Sequence, residues 1–330
     1  MTSAPIIANQ VGGHAGLLSH LEDSDGSLLT KFALAKEVAF YEAVASDDAL
    51  EPLRPFVPQF YGTLKLEGQV DTAGDRFIVL EDLTYRFDRP NVLDIKLGTV
   101  LHDLDAPPEK RARMEQVARA TTSRETGVRL TGFQVFDLAA GKPLAVTKEY
   151  GKSLVPADLP RGIARFFPLA TSTGLSASAL MPPEPPHTVA SLGTTTGTGL
   201  PADILLPILQ NLREDVEALR ERVAQVHVRM RSASLLVIYE ADWERAREGL
   251  RLLEEAVQKC EQEQDDNEDE DEEDEDEEEQ RTPIPYTVKL IDFAHTTVVP
   301  GQGPDESVLK GLDTFMTLLD GRIEEVQKQL

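Results

Sequence analysis

Between Asp265 and Glu279 the chain carries 14 acidic residues, interrupted only by Asn267. No core can take such a run, because like charges repel and no apolar side chain is offered for burial. Yet apolar segments stand on both sides of it. A fold that uses both sides must eject residues 261–282 as a disordered outward insertion, and Val288–Phe293 must then rejoin a body built from residues upstream. The run also distorts the bulk charge: taking its 14 charges from the net −25 leaves −11 for the rest. That balance argues against nucleic acid as a direct ligand, since phosphate backbones need clustered cations. A small anion at a local cationic site stays open.

The 330 residues suffice for one large domain or two small ones. The lone Cys260 allows no disulfide within the chain and fits a reducing compartment. We expect no signal peptide, because residues 1–10 lack a basic region followed by an apolar run. We expect no transmembrane segment, because no apolar stretch reaches about 18 residues. The expected compartment is nucleus or cytoplasm, and the expected state a monomer.

Alternation of apolar residues predicts strands at Ser27–Phe32, Arg76–Leu80, Asn91–Leu97, Val128–Phe136, Leu144–Tyr150, Ser234–Tyr239 and Val288–Phe293. Helices are expected at Ala35–Val44, Pro108–Thr121, Asp242–Lys259 and Leu309–Leu330. A further helix is marked by the stripe Ile208, Leu212, Val216, Leu219, Val223 and Val226, spaced by threes and fours. Pro52, Pro55 and Pro58 are expected to break regularity. Residues 170–200, rich in Ser, Thr, Gly and Pro with the single charge Glu184, read as a flexible loop. The order is a small β-rich lobe (1–82) followed by a larger α+β lobe (83–330). This α+β, two-lobe arrangement is that of a kinase-like fold, by analogy of fold alone.

Several residues are candidates for chemistry. Asp292 ends an apolar strand, where a carboxylate is exposed at the tip and can take Mg2+ bridging nucleotide phosphates. It can equally cap the next turn. Asp94 and Lys96 alternate with apolar neighbours, so both point to one strand face. A carboxylate that orients a hydroxyl beside an ammonium that holds phosphate suits phosphoryl transfer, while an isolated pair of this kind is more often structural. Lys31 in a strand, with Glu37 opening the next helix, is how kinases fix a cation against ATP, although two exposed charges give the same pattern. Glu81 and Leu83 follow a strand near the expected joint between lobes, where an extended backbone can pair with adenine or serve as a plain linker. Lys110 and Arg113 share a helix face, either as a solvated surface or as a local attraction for an anionic substrate.

Taken in order, these signals resemble the inositol phosphate kinases. Pro90–Gly98 fits that family's P-x-x-x-D-x-K-x-G signature, Ser234-Leu235-Leu236 its S-L-L motif, and Ile291-Asp292-Phe293 its I-D-F motif. Gly311-Leu312-Asp313 looks like its G-L-D element, and Asn9–His14 and Phe40-Tyr41 are similar to family segments as well. The resemblance spans nearly the whole chain, apart from residues 170–200 and the acidic run.

The resemblance implies an inositol polyphosphate kinase or SAICAR-synthase-like fold with ATP and Mg2+ as cofactors. Asp292 would bind metal, and Lys31 with Glu37 would contact the ATP phosphates. Glu81 and Leu83 would form the hinge, and Ser234 would lie near phosphates or metal. Asp94 would face the transferred group, while Lys96 and His295 would grip the inositol phosphate. Lys110, Arg113, Gln134 and Lys148 are further substrate candidates, the first two on a substrate helix near 107–122. The start of that helix, Ala106–Lys110, looks most like fungal and plant multikinases, with Arg119 standing where Lys is expected. The implied reaction is phosphorylation of inositol tris- and tetrakisphosphate towards pentakisphosphate. Alternatives are a hexakisphosphate kinase making pyrophosphates, or a non-catalytic scaffold. Phosphoinositide lipids are a possible second substrate class, and basic proteins such as transcription factors are possible partners of Asp265–Glu279.

Overall fold

The computed structural model describes residues 18–21, 26–64, 76–170, 197–263 and 282–330. The first part holds β1 (Leu18–His20), β2 (Leu28–Ala33), α1 (Ala35–Ser46), a 3-10 segment (Asp48–Phe56), β3 (Phe60–Leu64) and β4 (Arg76–Glu81). Then come β5 (Pro90–Leu97), α2 (Pro108–Ala120), α3 (Ser123–Thr126), β6 (Val128–Asp137), β7 (Lys142–Val146), α4 (Lys148–Ser153) and α5 (Leu159–Phe166). The last part holds α6 (Ala202–Gln225), β8 (Val228–Met230), β9 (Ser234–Glu240), α7 (Trp243–Glu263), β10 (Tyr286–Ile291), β11 (Thr296–Val298) and α8 (Glu306–Gln327).

Among the described residues the strands form a four-stranded sheet, β1-β2-β4-β3, a five-stranded sheet, β10-β9-β5-β6-β7, and a β11-β8 pair. Every pairing between these strands is antiparallel. The α+β, two-lobe architecture follows: the small sheet uses residues up to Glu81, and the large one begins at Pro90. Each face of the large sheet has its own character because side chains alternate. Leu93, Ile95, Leu97, Leu130, Phe133, Leu235, Val237 and Leu290 point into the main core, all at 1% exposure or less. There they meet Ile208, Leu212, Val216 and Leu219 of α6 and Leu312, Phe315 and Leu319 of α8. Truncating one such leucine to alanine would cost about 2–5 kcal/mol. The other face looks into the gap between the sheets.

A β-bulge interrupts the β5–β6 ladder. Asp94 pairs with Gly132 but Ile95 with Leu130, leaving Thr131 as the extra residue. The bulge reverses the facing of β6 below it, so Phe133 and Leu130 both reach the core although three positions apart.

Some sequence expectations change. The run Leu144–Tyr150 is not one strand: β7 ends at Val146 and α4 starts at Lys148. The turn back is tight, since a Cβ on Gly151 would lie 1.7 Å from the Leu130 carbonyl oxygen. The prolines after α1 do not abolish helicity, because the 3-10 segment carries Pro52 and Pro55 inside it. The helix Leu159–Phe166 was not expected, although Leu159, Ile163 and Phe166 form a buried stripe at helical spacing. The loop expected at 170–200 is narrower at its far end. Leu200 is fully buried and bridges Leu169, and Leu138 N–H donates to the Gly197 carbonyl at 2.9 Å. The insertion expected at 261–282 is also narrower, since α7 runs to Glu263 and Thr282 carbonyl accepts from Arg86. Asn9–His14 and Asp265–Glu279 lie outside the described residues.

Candidate active site

Three strands of the large sheet align their gap-facing residues in rows. Val92 pairs with Ile238, Asp94 with Leu236 and Lys96 with Ser234. Lys289 pairs with Leu236 and Ile291 with Ser234. One end of this face is apolar: Val92 and Ile238 cluster with Phe87, Leu83, Leu236 and Ile284. The other end is charged, with Asp94, Lys96 and, just past β10, Asp292. A flat apolar group at one end and a polyanion at the other would each find a fitting surface.

Asp292 takes one cation on each carboxylate oxygen. Lys31 Nζ lies 3.0 Å from Oδ1 and Lys96 Nζ lies 3.0 Å from Oδ2. Burial alone would push this carboxyl up, but Lys96 and Lys31 overcome it and hold it well below the usual carboxylate range. The residue sits at φ 66°, in the left-handed region. For an aspartate that conformation costs on the order of 1 kcal/mol and is kept only where the surroundings demand it. Phe293 supplies the demand, being fully buried with its ring 4.4 Å from Phe40 and 5.4 Å from Tyr41.

Lys31 is shared between Asp292 and Glu37, whose Oε1 lies 2.7 Å away. Burial would lower the Lys31 pKa, yet Asp292 and Glu37 outweigh it and raise the net value. Lys96 is steadied by Ser234, whose hydroxyl accepts from Nζ at 2.9 Å. Ser234 is fully buried, and its hydroxyl serves both Lys96 and the Asp94 carboxylate.

Asp94 is 2% exposed, and its Oδ1 has no hydrogen-bond partner among the described residues. Burial pushes its carboxyl up to about 6, against the pull of Lys96. Such a carboxyl is mostly ionised at neutral pH and still basic enough to take a hydroxyl proton. The strand bearing Asp94 and Lys96 is pinned beyond its end. Gly98 has φ 98°, its N–H donates to the Gly127 carbonyl at 2.8 Å, and an added Cβ would meet Ser307 Oγ at 2.9 Å. Ser307 Oγ also accepts from Thr99 N–H at 2.7 Å.

The structure adds Arg129, which sequence reasoning missed. It pairs in register with Lys96 on the gap face. Burial pulls its pKa down, partly offset by Asp94. Its guanidinium makes no hydrogen bond or close ion pair among the described residues. A half-buried guanidinium that is attracted by Asp94 but not bonded to it is suited to an incoming anion. A readable signal existed: buried apolar residues at 128, 130, 133 and 135 step by two, three and two, marking the bulge that turns Arg129 outward.

The remaining candidates are spread over several elements. Glu81 ends β4, and its Oε1 accepts from Gln59 N–H at 2.9 Å. Leu83 belongs to the apolar end. His295 follows Asp292 in the next turn and pairs with Asp103 at 2.8 Å. Lys110 stands 3.7 Å from the same carboxylate, while Arg113 is exposed on α2. Gln134 is buried and donates to the Pro90 carbonyl at 3.2 Å. Lys148 is exposed at the start of α4, just past the edge strand β7. A cavity of about 120 Å³ lies behind α2, but neither Lys31, Asp94, Lys96 nor Asp292 lines it.

Among the described residues no three His, Cys, Asp or Glu side chains gather as a metal cage. Mg2+ does not need one, since it is commonly held by one or two carboxylates together with substrate phosphates. Asp292, with the unpartnered oxygen of Asp94 on the same face, fits that donor set.

A sequence model of the inositol polyphosphate kinase family matches residues 77–182 and 200–320. The chain is 26% identical to the inositol polyphosphate multikinase of Saccharomyces cerevisiae, over 95% of this chain and 97% of that protein. It is 29% identical to mouse inositol hexakisphosphate kinase 1 over 76% of its own length, but spans only 53% of that protein. The crystal structure of the S. cerevisiae multikinase in complex with ADP and Mn2+ superposes with a TM-score of 0.61 at 26% identity, covering 90% of this chain and all of that one.

Proposed function

Because this chain belongs to the inositol polyphosphate kinase family, we propose that it is a Mg-ATP-dependent inositol polyphosphate multikinase. Its substrates are inositol trisphosphate and tetrakisphosphate, carried towards the pentakisphosphate. The observation that carries the reading is the shared face of Asp94 and Lys96, closed by Asp292 and by Lys31 from the other sheet. Near end-to-end similarity to the yeast multikinase supports this over pyrophosphate synthesis, because the chain spans about half of the hexakisphosphate kinase it matches.

Adenine is received at the apolar end, against Leu83, Val92 and Leu236, with the Glu81–Leu83 backbone as its hydrogen-bonding edge. Lys31, oriented by Glu37, neutralises ATP phosphates. Asp292 is the residue to hold Mg2+, which supplies charge neutralisation across the phosphates. Asp94 orients the acceptor hydroxyl and takes its proton. Lys96 and Arg129 hold phosphates of the inositol ring. Most of the acceleration then comes from positioning and charge stabilisation.

Incubating purified protein with Mg-ATP and inositol trisphosphate, and resolving products by anion exchange, tests this. Successive tetrakis- and pentakisphosphate is expected. A single added phosphate would reduce the reading to a dedicated trisphosphate kinase, and turnover of hexakisphosphate alone would replace it. Asp292→Asn is expected to fold and to lose about 10²–10³-fold or more in turnover; full activity would remove Asp292 from the metal role.

A further inference from the structure

His295 is held from two sides by segments distant in sequence. Its Nδ1 lies 2.8 Å from Asp103 Oδ2. Asp103 belongs to the connection between β5 and α2 and is 8% exposed. The backbone of His295 is fixed as well: its carbonyl accepts from Arg231 N–H at 3.2 Å, and the Arg231 guanidinium is gripped by Asp305 at 2.6 Å. Ring and main chain are thus set independently.

A carboxylate beside a site for a polyanion opposes binding unless neighbours absorb its charge. As a stabilising contact it would bring little, because a partly exposed ion pair contributes about 0–1 kcal/mol. Its chemical consequence is larger. At 2.8 Å an ionised carboxylate and a bare ring nitrogen would repel each other, so the His295 nitrogen facing Asp103 is the one to carry a proton, although the contact is an ion-pair approach and not an aligned hydrogen bond. This holds whether the ring is neutral or charged, and it leaves Nε2 as the nitrogen available to a ligand. The same Asp103 oxygen lies 3.7 Å from Lys110 Nζ. At that distance the ammonium is attracted without a tight hydrogen bond, so a substrate phosphate can take it over.

We infer that Asp103 is a positioning residue for phosphoryl transfer: it holds His295 with Nδ1 protonated and Nε2 presented to the inositol phosphate, and it parks Lys110 at the rim. The substrate half rests on the kinase reading above. Asp103 touches no reacting atom and acts through the two side chains it orients.

Two measurements test this separately. Long-range ¹⁵N–¹H spectra of the imidazoles in the full chain read the tautomer without turnover, with His295→Gln assigning that ring among the six histidines. An Nδ1-protonated ring is expected in the wild type, and Asp103→Ala is expected to abolish the preference. An Nε2-protonated ring in the wild type overturns the inference. In kinetics, Asp103→Asn, first checked for folding by thermal unfolding, is expected to lower kcat/KM for inositol trisphosphate about 10- to 100-fold. The ATP KM is expected to stay within about twofold, and in a His295→Gln background the same change is expected to cost less than about threefold. Additive losses, or a parallel rise in ATP KM, make Asp103 merely structural and overturn the inference. A wild-type chain that turns over neither tris- nor hexakisphosphate overturns the kinase reading and the substrate half with it, while the tautomer alone still decides whether Asp103 orients His295.

Discussion

The Glu37 carboxylate accepts the backbone N–H of Phe293 at 3.2 Å through the same oxygen that takes the Lys31 ammonium at 2.7 Å. This oxygen belongs to a side chain that is only 1% exposed. It joins the cation of the small sheet to the residue that follows Asp292, so the two lobes share one electrostatic joint. Glu37→Gln keeps an acceptor for Phe293 but removes the charge facing Lys31. We expect a loss of about 1.5–3 kcal/mol in unfolding free energy. We also expect the ATP KM to rise more than the KM for inositol phosphate. Equal rises in both would place Glu37 outside nucleotide binding.

Asp94 gives a pH signature of known sign. Its folded-state carboxyl titrates near 6, above its ordinary 3.8. The native chain therefore binds this proton more tightly than the unfolded chain does. That contribution is fully present below about pH 4 and is lost as pH rises through about 6. Asp94→Asn stays neutral throughout. Without nucleotide, it should be more stable than the wild type at pH 8, by on the order of 2–3 kcal/mol, and unchanged at pH 4. Denaturant unfolding at both values checks this, and a variant less stable at pH 8 would contradict it. Wild-type turnover should rise with pH through an acid limb near 6, because the ionised form does the work.

Arg129 faces the gap beside Lys96, attracted by Asp94 but not bonded to it. Arg129→Met keeps the aliphatic stem and removes the charge. We expect an increase of about tenfold in KM for inositol trisphosphate, in line with a charge-assisted hydrogen bond of about 1.5–3 kcal/mol. Unfolding free energy should change little, since a desolvated charge is relieved while Asp94 loses an attracting neighbour. A loss of stability with unchanged KM would show that Arg129 serves the fold.

Gly311 lies where α8 crosses the turn before β6. A Cβ there would sit 2.4 Å from the Gly127 carbonyl oxygen, and backbone cannot move aside cheaply. That carbonyl also accepts the Gly98 N–H, so displacing it reaches the Asp94–Lys96 strand. Gly311→Ala is expected to cost about 1–3 kcal/mol and to lower kcat together with stability. Thermal unfolding with parallel kinetics checks it, and wild-type values in both would mean that α8 shifts freely.

Strands β5 and β9 of the large sheet were legible as short, mostly apolar runs. Asn91–Leu97 and Ser234–Tyr239 each differ from the observed element by one residue at one end. The small strands β1, β3, β8 and β11 were not, since three to five residues hold no period and exist through their pairing. The strand expected through Tyr150 failed for a related reason. Lys148–Ser153 buries only Tyr150 and Gly151, too few residues to show a period, and only packing under β6 selects its helix. Lys31, Glu37, Asp94, Lys96 and Asp292 were named from motifs, whereas Arg129 was not, because its direction depends on the bulge at Thr131.

The amino-acid order by itself determined which residues carry charge on otherwise apolar strands, where the acidic run forbids a core, and which side chains share a strand face. Those are local properties, set by the two-residue period of a strand and by like-charge repulsion. Only the tertiary structure decided that Lys31 and Lys96, from different sheets, divide the two oxygens of Asp292, that Glu37 reaches Phe293, and that Asp103 meets His295. These meetings follow from how the lobes seat on each other around Phe40, Tyr41 and Phe293, and long-range packing of that kind leaves no periodic trace in the chain.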